Sequence, residues 1–322
     1  MTLRYEPEFW SVLEPLVPTL PKREPLSLDN IKAGREARED DMRAAFESLD
    51  TCPDVNQRSY NIETPDSYTI SVLALTPGVA QDDPGPCLLH FHGGRMILGS
   101  AEIQAKPLAQ LVSMTTVPVF SVNYRLAPEF KGTTPVQDSY TALLWLHSKA
   151  QEFNINPRRI GVMGESAGGG IAAGVALMAR DKRLNPGLAK QVLIYPMIDD
   201  CNIIPNKAIE PLAIWKTTDN TTGWAALLGD EAGKPEAVSI SYYSAPARAP
   251  SLAGLPPIFI DVRCLDIFLQ ENIKYAIRLL AENIPTELHV YPGLPHGFEL
   301  IAPNITATKK AEENRYRAIL GI

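Results

Sequence analysis

A serine with a glycine two positions away on each side is the residue in this sequence best placed to do chemistry. Residues 164–168 read Gly-Glu-Ser-Ala-Gly, a G-x-S-x-G pattern centred on Ser166. The apolar run 159–163 precedes it, and an Ala/Gly-rich, helix-like stretch follows at 167–180. A sharp strand-to-helix turn of this kind holds a serine in strained backbone with its hydroxyl exposed, so its neighbours must be small. The pattern predicts a nucleophilic serine, and the alternative is a glycine-rich helix start that merely packs on a strand.

A serine hydroxyl becomes a good nucleophile only when a base accepts its proton, and histidine is suited to that task. His296 lies in the Gly/Pro-rich stretch YPGLPHGFEL, directly after the last predicted strand. A strand, a G-x-S-x-G turn and a helix in succession indicate the α/β-hydrolase fold. In that fold the catalytic residues follow one another along the chain as serine, acid and histidine, and His296 is the histidine that fits this order. The remaining histidines, which we expect to be structural, are His90, His92, His147 and His289.

The carboxylate that orients the histidine should follow the preceding strand. In the run VRCLDIFLQEN, Asp266 comes just past the predicted strand 256–263 and just before a predicted helix. Asp261 lies inside the strand and Glu271 lies a turn into the helix. We therefore predict that Asp266 holds one tautomer of His296 and stabilises its imidazolium. Asp266 could instead cap the helix, and one carboxylate can do both.

Acyl transfer through a serine creates a negatively charged oxygen, which needs about two or three fixed N–H donors. One donor should be the backbone N–H of Ala167, the residue after the nucleophile. The loop after the third predicted strand, where CLLHFH is followed by Gly93 and Gly94, should supply the others. Glycine has no Cβ to shield its N–H. We predict an oxyanion hole formed by Gly93, Gly94 and Ala167.

These residues need a framework that brings distant parts of the chain to one edge of a sheet. Several β-rich runs are continuously apolar, as parallel strands buried on both faces are. They alternate with helix-like stretches, which indicates an α/β fold with a mostly parallel central sheet of about eight strands flanked by helices. The predicted strands are 58–63, 68–77, 87–92, 118–124, 159–164, 190–196, 256–263 and 286–292. The predicted helices are 135–152, 167–180, 269–283 and 307–320, with further helical character at 1–50.

Two segments stand outside this alternation. Residues 29–49 have a charged, sparsely apolar helical pattern that should lie over another surface. Residues 199–250 have weak strand character, and so long a connection usually covers a site. We predict N-terminal cap helices at 1–50, a catalytic domain formed by 51–198 and 251–322, and a cap insertion at 199–250.

Five features together resemble one known family. HGGR at 92–95, YRLAPE at 124–129, GESAGGG at 164–170, Asp266 and PHGF at 295–298 are similar to the hormone-sensitive-lipase-like esterases of the α/β-hydrolase fold. The similarity runs roughly from residue 58 to residue 300. It implies a helical cap, a Ser-His-Asp triad, hydrolysis of short-to-medium acyl or aryl esters, no cofactor, and a homodimer formed through the last strand and helix. It also implies that Tyr124, Arg125 and Glu129 support the loops of the site.

This chain departs from the family pattern at three places. The family's third glycine is replaced by Arg95, the usual Asp before the nucleophile is Glu165, and the acid motif reads DIFLQE at 266–271. Arg95 and Glu165 both border the nucleophile turn, which suggests an ion pair between them. Arg95 could instead bind a substrate carboxylate. Trp215 and Trp224, from the predicted cap, either line a substrate pocket or pack in the core.

Composition excludes several classes of partner. A formal net charge of −7 argues against a general nucleic-acid binder. The first twenty residues mix charges and three prolines with apolar residues, unlike a signal peptide. No apolar run approaches the ~18–20 residues of a membrane span. The cysteines, Cys52, Cys87, Cys201 and Cys264, form no metal-binding pattern, so we expect a cytoplasmic protein without a metal site.

The sequence thus predicts a serine carboxylesterase with a small-molecule ester as its partner. An amidase, a lactonase or an acyltransferase could use the same triad, because these activities differ only in leaving group, acceptor and pocket. A non-catalytic small-ligand receptor is a further alternative, since the plant gibberellin receptors resemble this family. Those receptors keep the serine but lose the histidine, whereas His296 is present here.

Overall fold

Eight strands form a single sheet in the computed structural model, which describes residues 3–19, 24–47, 49–79 and 82–322. The strand order is β1-β2-β4-β3-β5-β6-β7-β8. The pairs β1/β2 and β2/β4 are antiparallel, and all pairs from β4 to β8 are parallel, so the predicted mostly parallel sheet is confirmed. The strands are β1 (Val55–Glu63), β2 (Thr69–Pro77), β3 (Gly85–Phe91), β4 (Val119–Asn123), β5 (Ile155–Glu165), β6 (Lys190–Ile194), β7 (Ile258–Arg263) and β8 (Thr286–Tyr291).

The register brings the carboxyl ends of four strands level with one another. Phe91 at the end of β3 pairs with Gly164 of β5, and Ile194 of β6 pairs with both Glu165 and Asp261. In open α/β sheets, ligands bind in the crevice outside these carboxyl ends. The loops that follow β3, β5, β6 and β7 therefore meet at one edge.

Helices cover both faces of the sheet. They are α1 (Pro7–Leu13), α2 (Ile31–Glu47), α3 (Ala105–Thr115), α4 (Thr134–Ser148), α5 (Ala167–Asp181), α6 (Thr217–Leu228), α7 (Leu269–Ala281), α8 (Phe298–Ile301) and α9 (Thr306–Leu320). Successive strand residues point to opposite faces: Leu89 belongs to the core with α4, α5 and α7, and Leu88 to the core with α3 and α9. This three-layer arrangement buries the apolar strands on both sides, as their sequences predict.

Helix α5 is the most deeply buried of these helices. Residues 167–179 are buried throughout. The small side chains permit this, because a Cβ on Gly174 would lie only 2.2 Å from the carbonyl oxygen of Tyr243. The Ala/Gly-rich composition of 167–180 is thus a requirement of packing between the sheet and the segment that follows β6.

The predicted cap insertion, residues 199–250, contributes one α-helix, α6, and the short 3-10 turns Gly229–Glu231 and Pro246–Arg248. The N-terminal segment lies against it, since the Tyr5 hydroxyl donates to the carbonyl of Leu212 at 2.8 Å. The same segment reaches the last part of the chain: the N–H of Glu6 donates to Gly293 at 2.7 Å. Of the helices in the described ranges, none is both long and apolar enough to cross a membrane.

Candidate active site

Ser166 occupies a turn between β5 and α5 that only small neighbours allow. Its φ of 56° and ψ of −119° are unusual for a residue with a side chain. Its N–H donates to Ile194 at the end of β6 at 2.9 Å. A Cβ on Gly168 would lie 1.9 Å from the carbonyl oxygen of Phe91, so the start of α5 touches the end of β3. The glycine-rich motif presses the nucleophile turn against the neighbouring strand.

Three side chains from separate elements form a continuous hydrogen-bonded series. The Nε2 of His296 lies 3.1 Å from the Oγ of Ser166, and its Nδ1 lies 2.7 Å from Oδ2 of Asp266. The other oxygen of Asp266 accepts the N–H of Phe268 at 3.0 Å. Asp266 is buried, whereas the imidazole keeps a small exposed area. The carboxylate therefore both shapes the turn before α7 and holds the imidazole, which sequence reasoning left as two open roles.

Aromatic rings surround the imidazole of His296. Tyr195 contacts it with ring centroids 4.4 Å apart, and Phe268 lies at 5.2 Å. Both of these rings are buried, so they fix the plane of the imidazole from the core side. Trp215 approaches at 6.2 Å and is only half-buried. The sequence analysis did not select Tyr195 or Phe268, and only the position of Phe268 two residues after Asp266 could have indicated it.

The two other candidate acids have different partners. Asp261 accepts hydrogen bonds from the guanidinium groups of Arg263 and Arg315. Glu271 accepts the N–H of Ile198 at 2.8 Å, and its burial raises the pKa of its carboxyl group well above the usual range. Neither carboxylate is hydrogen-bonded to His296.

Three of the remaining histidines either bond to other side chains or are partly buried. His90 is bonded to Ser121 and Glu165, each at 2.9 Å. His289 bonds to Glu287 at 2.6 Å, and burial lowers the pKa of His147. None of these imidazoles is bonded to Ser166.

The direction of each predicted oxyanion donor is fixed by the hydrogen bond that the carbonyl group of the same peptide unit accepts. A trans peptide points its C=O and N–H in opposite directions. The carbonyl of His92, which shares a peptide with the N–H of Gly93, accepts the Tyr124 hydroxyl at 2.7 Å. The carbonyl of Gly93, which shares a peptide with the N–H of Gly94, lies 2.8 Å from Nδ1 of His92.

The third donor is held in the same way. The carbonyl of Ser166, which shares a peptide with the N–H of Ala167, accepts the N–H groups of Met197 at 2.9 Å and Gly170 at 3.1 Å. A Cβ on Gly93 would lie 3.7 Å from the Cβ of Ser166, which places that loop beside the nucleophile. The three N–H groups donate to no other group in the described part of the chain.

His92 acts through its neutral form. Burial lowers the pKa of its imidazole to about 4. Its ring stacks on that of Tyr124 with centroids 4.3 Å apart. A neutral imidazole can donate from Nδ1 to the carbonyl of Gly93 without placing a second positive charge near the base. The pair His92 and Tyr124 thus supports the oxyanion loop, which we define as residues 92–98.

Arg125 and Glu129, the other two residues expected to support the loops, form ion pairs. Arg125 bonds to Asp138 at 2.7 Å. Glu129 bonds to Arg35, whose guanidinium also donates to the carbonyl of Ile97 at 2.6 Å. Through Arg35, Glu129 is connected to the end of the oxyanion loop.

The suggested ion pair between Arg95 and Glu165 is wrong. Arg95 has a φ of 61° and extends to α6, where its NH1 lies 3.2 Å from Oδ1 of Asp219. Glu165 turns towards the sheet and bonds to the buried His90. Two residues that border the same turn can leave it in opposite directions, and here each has a separate partner of its own.

The two tryptophans differ in their surroundings. Trp224 has no exposed area and packs in the main core, so core packing describes it. Trp215 faces the site instead: its ring lies beside His296 and carries the guanidinium of Arg95, 4.0 Å from the ring centroid. Asp219, which pairs with Arg95, was not singled out from the sequence because no local motif marks it.

The arrangement contains what acyl transfer through a serine needs. A hydroxyl, a base and an orienting acid follow one another at hydrogen-bond distance, and fixed N–H groups lie next to the hydroxyl. The aromatic and apolar lining lowers the local dielectric constant, which strengthens each of these interactions.

Comparisons with known proteins agree with this geometry. A family described as "alpha/beta hydrolase fold" matches residues 88–300. The chain is 32% identical over 229 residues to Esterase LipI of Mycobacterium tuberculosis, covering 70% of this chain and 69% of that protein. It is 32% identical over 249 residues to Carboxylesterase NlhH of the same organism, covering 75% of each. Among solved structures, Bacterial Heroin Esterase is similar with a TM-score of 0.87 and 32% identity, covering 98% of this chain and 97% of that chain.

Proposed function

This chain is a carboxylic ester hydrolase of the α/β-hydrolase fold family, within its hormone-sensitive-lipase-like esterases, and we propose that it acts through a covalent acyl-enzyme on Ser166. The observation that carries the proposal is the unbroken series from Asp266 through His296 to Ser166. A histidine that bridges a serine and a buried carboxylate has no better explanation in this crevice than activation of that serine.

In the first step, Oγ of Ser166 attacks the ester carbonyl while Nε2 of His296 accepts its proton. Asp266, bonded to Nδ1, stabilises the imidazolium that results. The carbonyl oxygen becomes an oxyanion and accepts the N–H groups of Gly93, Gly94 and Ala167. The C–O bond to the alcohol then breaks, and His296 returns the proton to the leaving oxygen.

In the second step, water replaces the alcohol. His296 accepts a proton from the water as its oxygen attacks the acyl-enzyme carbonyl, and the same N–H groups hold the second oxyanion. The bond to Oγ breaks, Ser166 recovers its proton from His296, and the carboxylic acid leaves. The enzyme returns to its starting state.

The substrates we propose are short-to-medium acyl or aryl esters. The two relatives are named an esterase and a carboxylesterase, and neither name specifies an acyl length. Amide, lactone or acyl-transfer chemistry would use the same residues, so these remain the second class of candidates. The receptor alternative needs no base, and the placement of His296 on Ser166 speaks against it.

The cytoplasmic location expected from the sequence belongs to the same proposal. Cys52, Cys87, Cys201 and Cys264 are all free thiols, which is in keeping with a reducing compartment. The homodimer implied by the family resemblance stays a prediction.

The first test is a screen of p-nitrophenyl esters of graded acyl length, with Ser166→Ala beside wild type. We expect Ser166→Ala to lose about four to six orders of magnitude in kcat, because the nucleophile is removed. Wild type, but not the variant, should be labelled by a fluorophosphonate probe. Ser148→Ala, which changes an exposed serine at the end of α4, is the matched control.

Retention of ester hydrolysis by Ser166→Ala would overturn the proposed mechanism. A wild-type protein that binds esters but resists the probe would favour the receptor. Faster turnover of matched anilides or lactones than of esters would favour the amidase or lactonase.

A further inference from the structure

Arg95 connects the oxyanion loop to α6. It follows Gly94, whose φ is 121°, and both Arg95 and Met96 have φ above 60°. This left-handed turn brings the backbone of Arg95 against α6, where a Cβ on Gly223 would lie 3.2 Å from the Arg95 carbonyl oxygen. A glycine at 223 allows that approach. Both the Cβ and the guanidinium of Arg95 therefore lie close to α6, the first near Gly223 and the second beside Asp219.

The guanidinium of Arg95 lies over the ring of Trp215. Its central carbon is 4.0 Å from the ring centroid, and NH1 is 3.2 Å from Asp219. The indole Nε1 of Trp215 is buried and has no hydrogen-bond partner among the described residues. Since no hydrogen bond fixes the indole, its orientation depends on packing, and Arg95 covers one of its faces.

Trp215 lies on the side of the site from which the alcohol departs. His296 must come within about 3 Å of the leaving oxygen to return its proton. The groups beside the imidazole therefore adjoin the alcohol part of the ester. Tyr195 and Phe268 contact His296 from the buried side, so the half-buried Trp215 is the ring available to an alcohol group.

We propose that Arg95 is a positioning residue that holds the ring of Trp215 beside His296, and that this makes the enzyme selective for esters of flat, aromatic alcohols. The proposal rests on the proposed function and narrows its substrates to esters with an aromatic alcohol part. A role for Arg95 in binding a substrate carboxylate is disfavoured, because Asp219 already offsets its charge. A planar indole held in one orientation can stack on a planar leaving group, which a saturated ring of the same size cannot match.

The test compares Arg95→Met with wild type on three acetates: phenyl, cyclohexyl and methyl. The acyl part is common to all three, and the quantity compared is the ratio of variant to wild-type kcat/KM, in which intrinsic ester reactivity cancels. kcat/KM reports acylation, the step in which the alcohol leaves. We expect the ratio for phenyl acetate to fall about three- to tenfold below the ratios for cyclohexyl and methyl acetate.

Two further variants define the cause. Arg95→Lys keeps a positive charge but lacks the planar guanidinium, so we expect it to lose the aryl preference as Arg95→Met does. Arg58→Met removes another guanidinium that lies over a ring, that of Tyr60 on β1, and should behave as wild type. An equal fall on all three acetates would overturn the proposal, because it would mean a distorted oxyanion loop. An unchanged phenyl-to-cyclohexyl ratio would overturn it as well.

A measurement without substrate separates this inference from the proposed function. The fluorescence of Trp215 is obtained by subtracting the emission of a Trp215→Phe protein from that of the same protein with Trp215, and its quenching by acrylamide is then measured. If Arg95 holds the ring, Arg95→Met should raise the quenching constant of Trp215 by about twofold or more, as the ring gains exposure. Unchanged quenching would refute the positioning role even if no ester were hydrolysed. Failure of wild type on every ester would refute the proposed function, and the ester selectivity with it, but would leave the positioning role standing.

Discussion

Tyr124 shows how much of the site depends on residues that never touch the substrate. Its hydroxyl holds the carbonyl of His92, and His92 holds the carbonyl of Gly93. The N–H groups on the far sides of these peptide units are the predicted oxyanion donors. The geometry of the oxyanion hole is thus set by acceptor groups that face away from it.

Removal of the Tyr124 hydroxyl should therefore reduce turnover of every ester alike. We expect Tyr124→Phe to lower kcat by about tenfold to a hundredfold with little change in KM, because one donor is no longer fixed for the oxyanion. The measurement is steady-state kinetics over both the acyl series and the three acetates. Tyr140→Phe, on α4, is the control, and a loss confined to one substrate class would contradict the explanation.

At the level of single residues, the sequence predicted the site residues that lie in recognisable motifs and missed those that lie outside them. Ser166, Asp266 and His296 could be selected because each follows a recognisable strand in a known order. Asp219, the partner of Arg95, could not be predicted, because it lies more than a hundred positions away on a helix without a motif. Side-chain direction after a left-handed turn depends on backbone angles that residue types alone do not specify.

At the level of elements, the contact between β3 and α5 links the two halves of the site. Gly168 begins α5 against the carbonyl oxygen of Phe91, the last residue of β3. The oxyanion loop starts at the next residue. A single close approach between a helix and a strand therefore sets the distance between the nucleophile and its oxyanion donors.

A methyl group at this contact should harm stability and activity together. In Gly168→Ala, the new Cβ would lie 1.9 Å from the Phe91 oxygen, so β3 or α5 must move. We expect a loss of about 1–3 kcal/mol in the free energy of unfolding by urea, together with a lower kcat. Gly187→Ala, where the nearest atom would be 3.7 Å away, should stay within about 0.5 kcal/mol of wild type. Equal stability of the two variants would refute the account.

The strand and helix pattern was largely predictable, and the helices that the residue pattern did not predict are α3, α6 and the four-residue α8. All eight predicted strands correspond to observed ones. Buried parallel strands read as near-continuous apolar runs, as β3 does, whereas β1 is antiparallel and mostly exposed. Helix α3 was not predicted, and it contains Pro107 in its first turn, where proline is tolerated although it usually suggests a break. Helix α6, TTDNTTGWAALL, is rich in threonine and contains a glycine, so its local propensity is low and tertiary contacts decide.

At the scale of the whole molecule, a buried charge network joins β7 to the last two helices. Glu299 of α8 bonds to Arg263 of β7 at 3.0 Å and to Arg315 of α9 at 2.8 Å, and both arginines also bond to Asp261. Arg263 lies over the ring of Tyr195, which contacts His296. The network thus fastens the C-terminal part of the chain beneath the catalytic imidazole.

This network should make stability depend on pH in the acid range. Burial favours the neutral carboxyl of Glu299, but the charges of Arg263 and Arg315 outweigh this effect and lower the pKa of that carboxyl to about 2, well below the ordinary range of a glutamate. In the unfolded chain the group takes up its proton at higher pH, so stability from this carboxylate is present above about pH 5 and is lost as the pH falls to 2. Glu299→Gln should remove that dependence and cost on the order of 3 kcal/mol at pH 7.

Urea unfolding at pH 7, 5 and 3 measures this dependence, with Glu313→Gln on the exposed face of α9 as the control. If the free energy of unfolding changed with pH in the same way in wild type and Glu299→Gln, the ionised carboxylate of Glu299 would contribute nothing to stability. A difference that grows towards neutral pH is the expected result, because only the wild-type carboxylate ionises there.

The contact between Gly223 and the backbone of Arg95 also bears on how substrates come and go. Helix α6 rests on the same loop whose amides are the predicted oxyanion donors, so any movement of α6 away from the loop would displace those amides. We therefore expect turnover only while α6 rests on this loop, so that a molecule in which α6 has moved away could hold an ester without hydrolysing it.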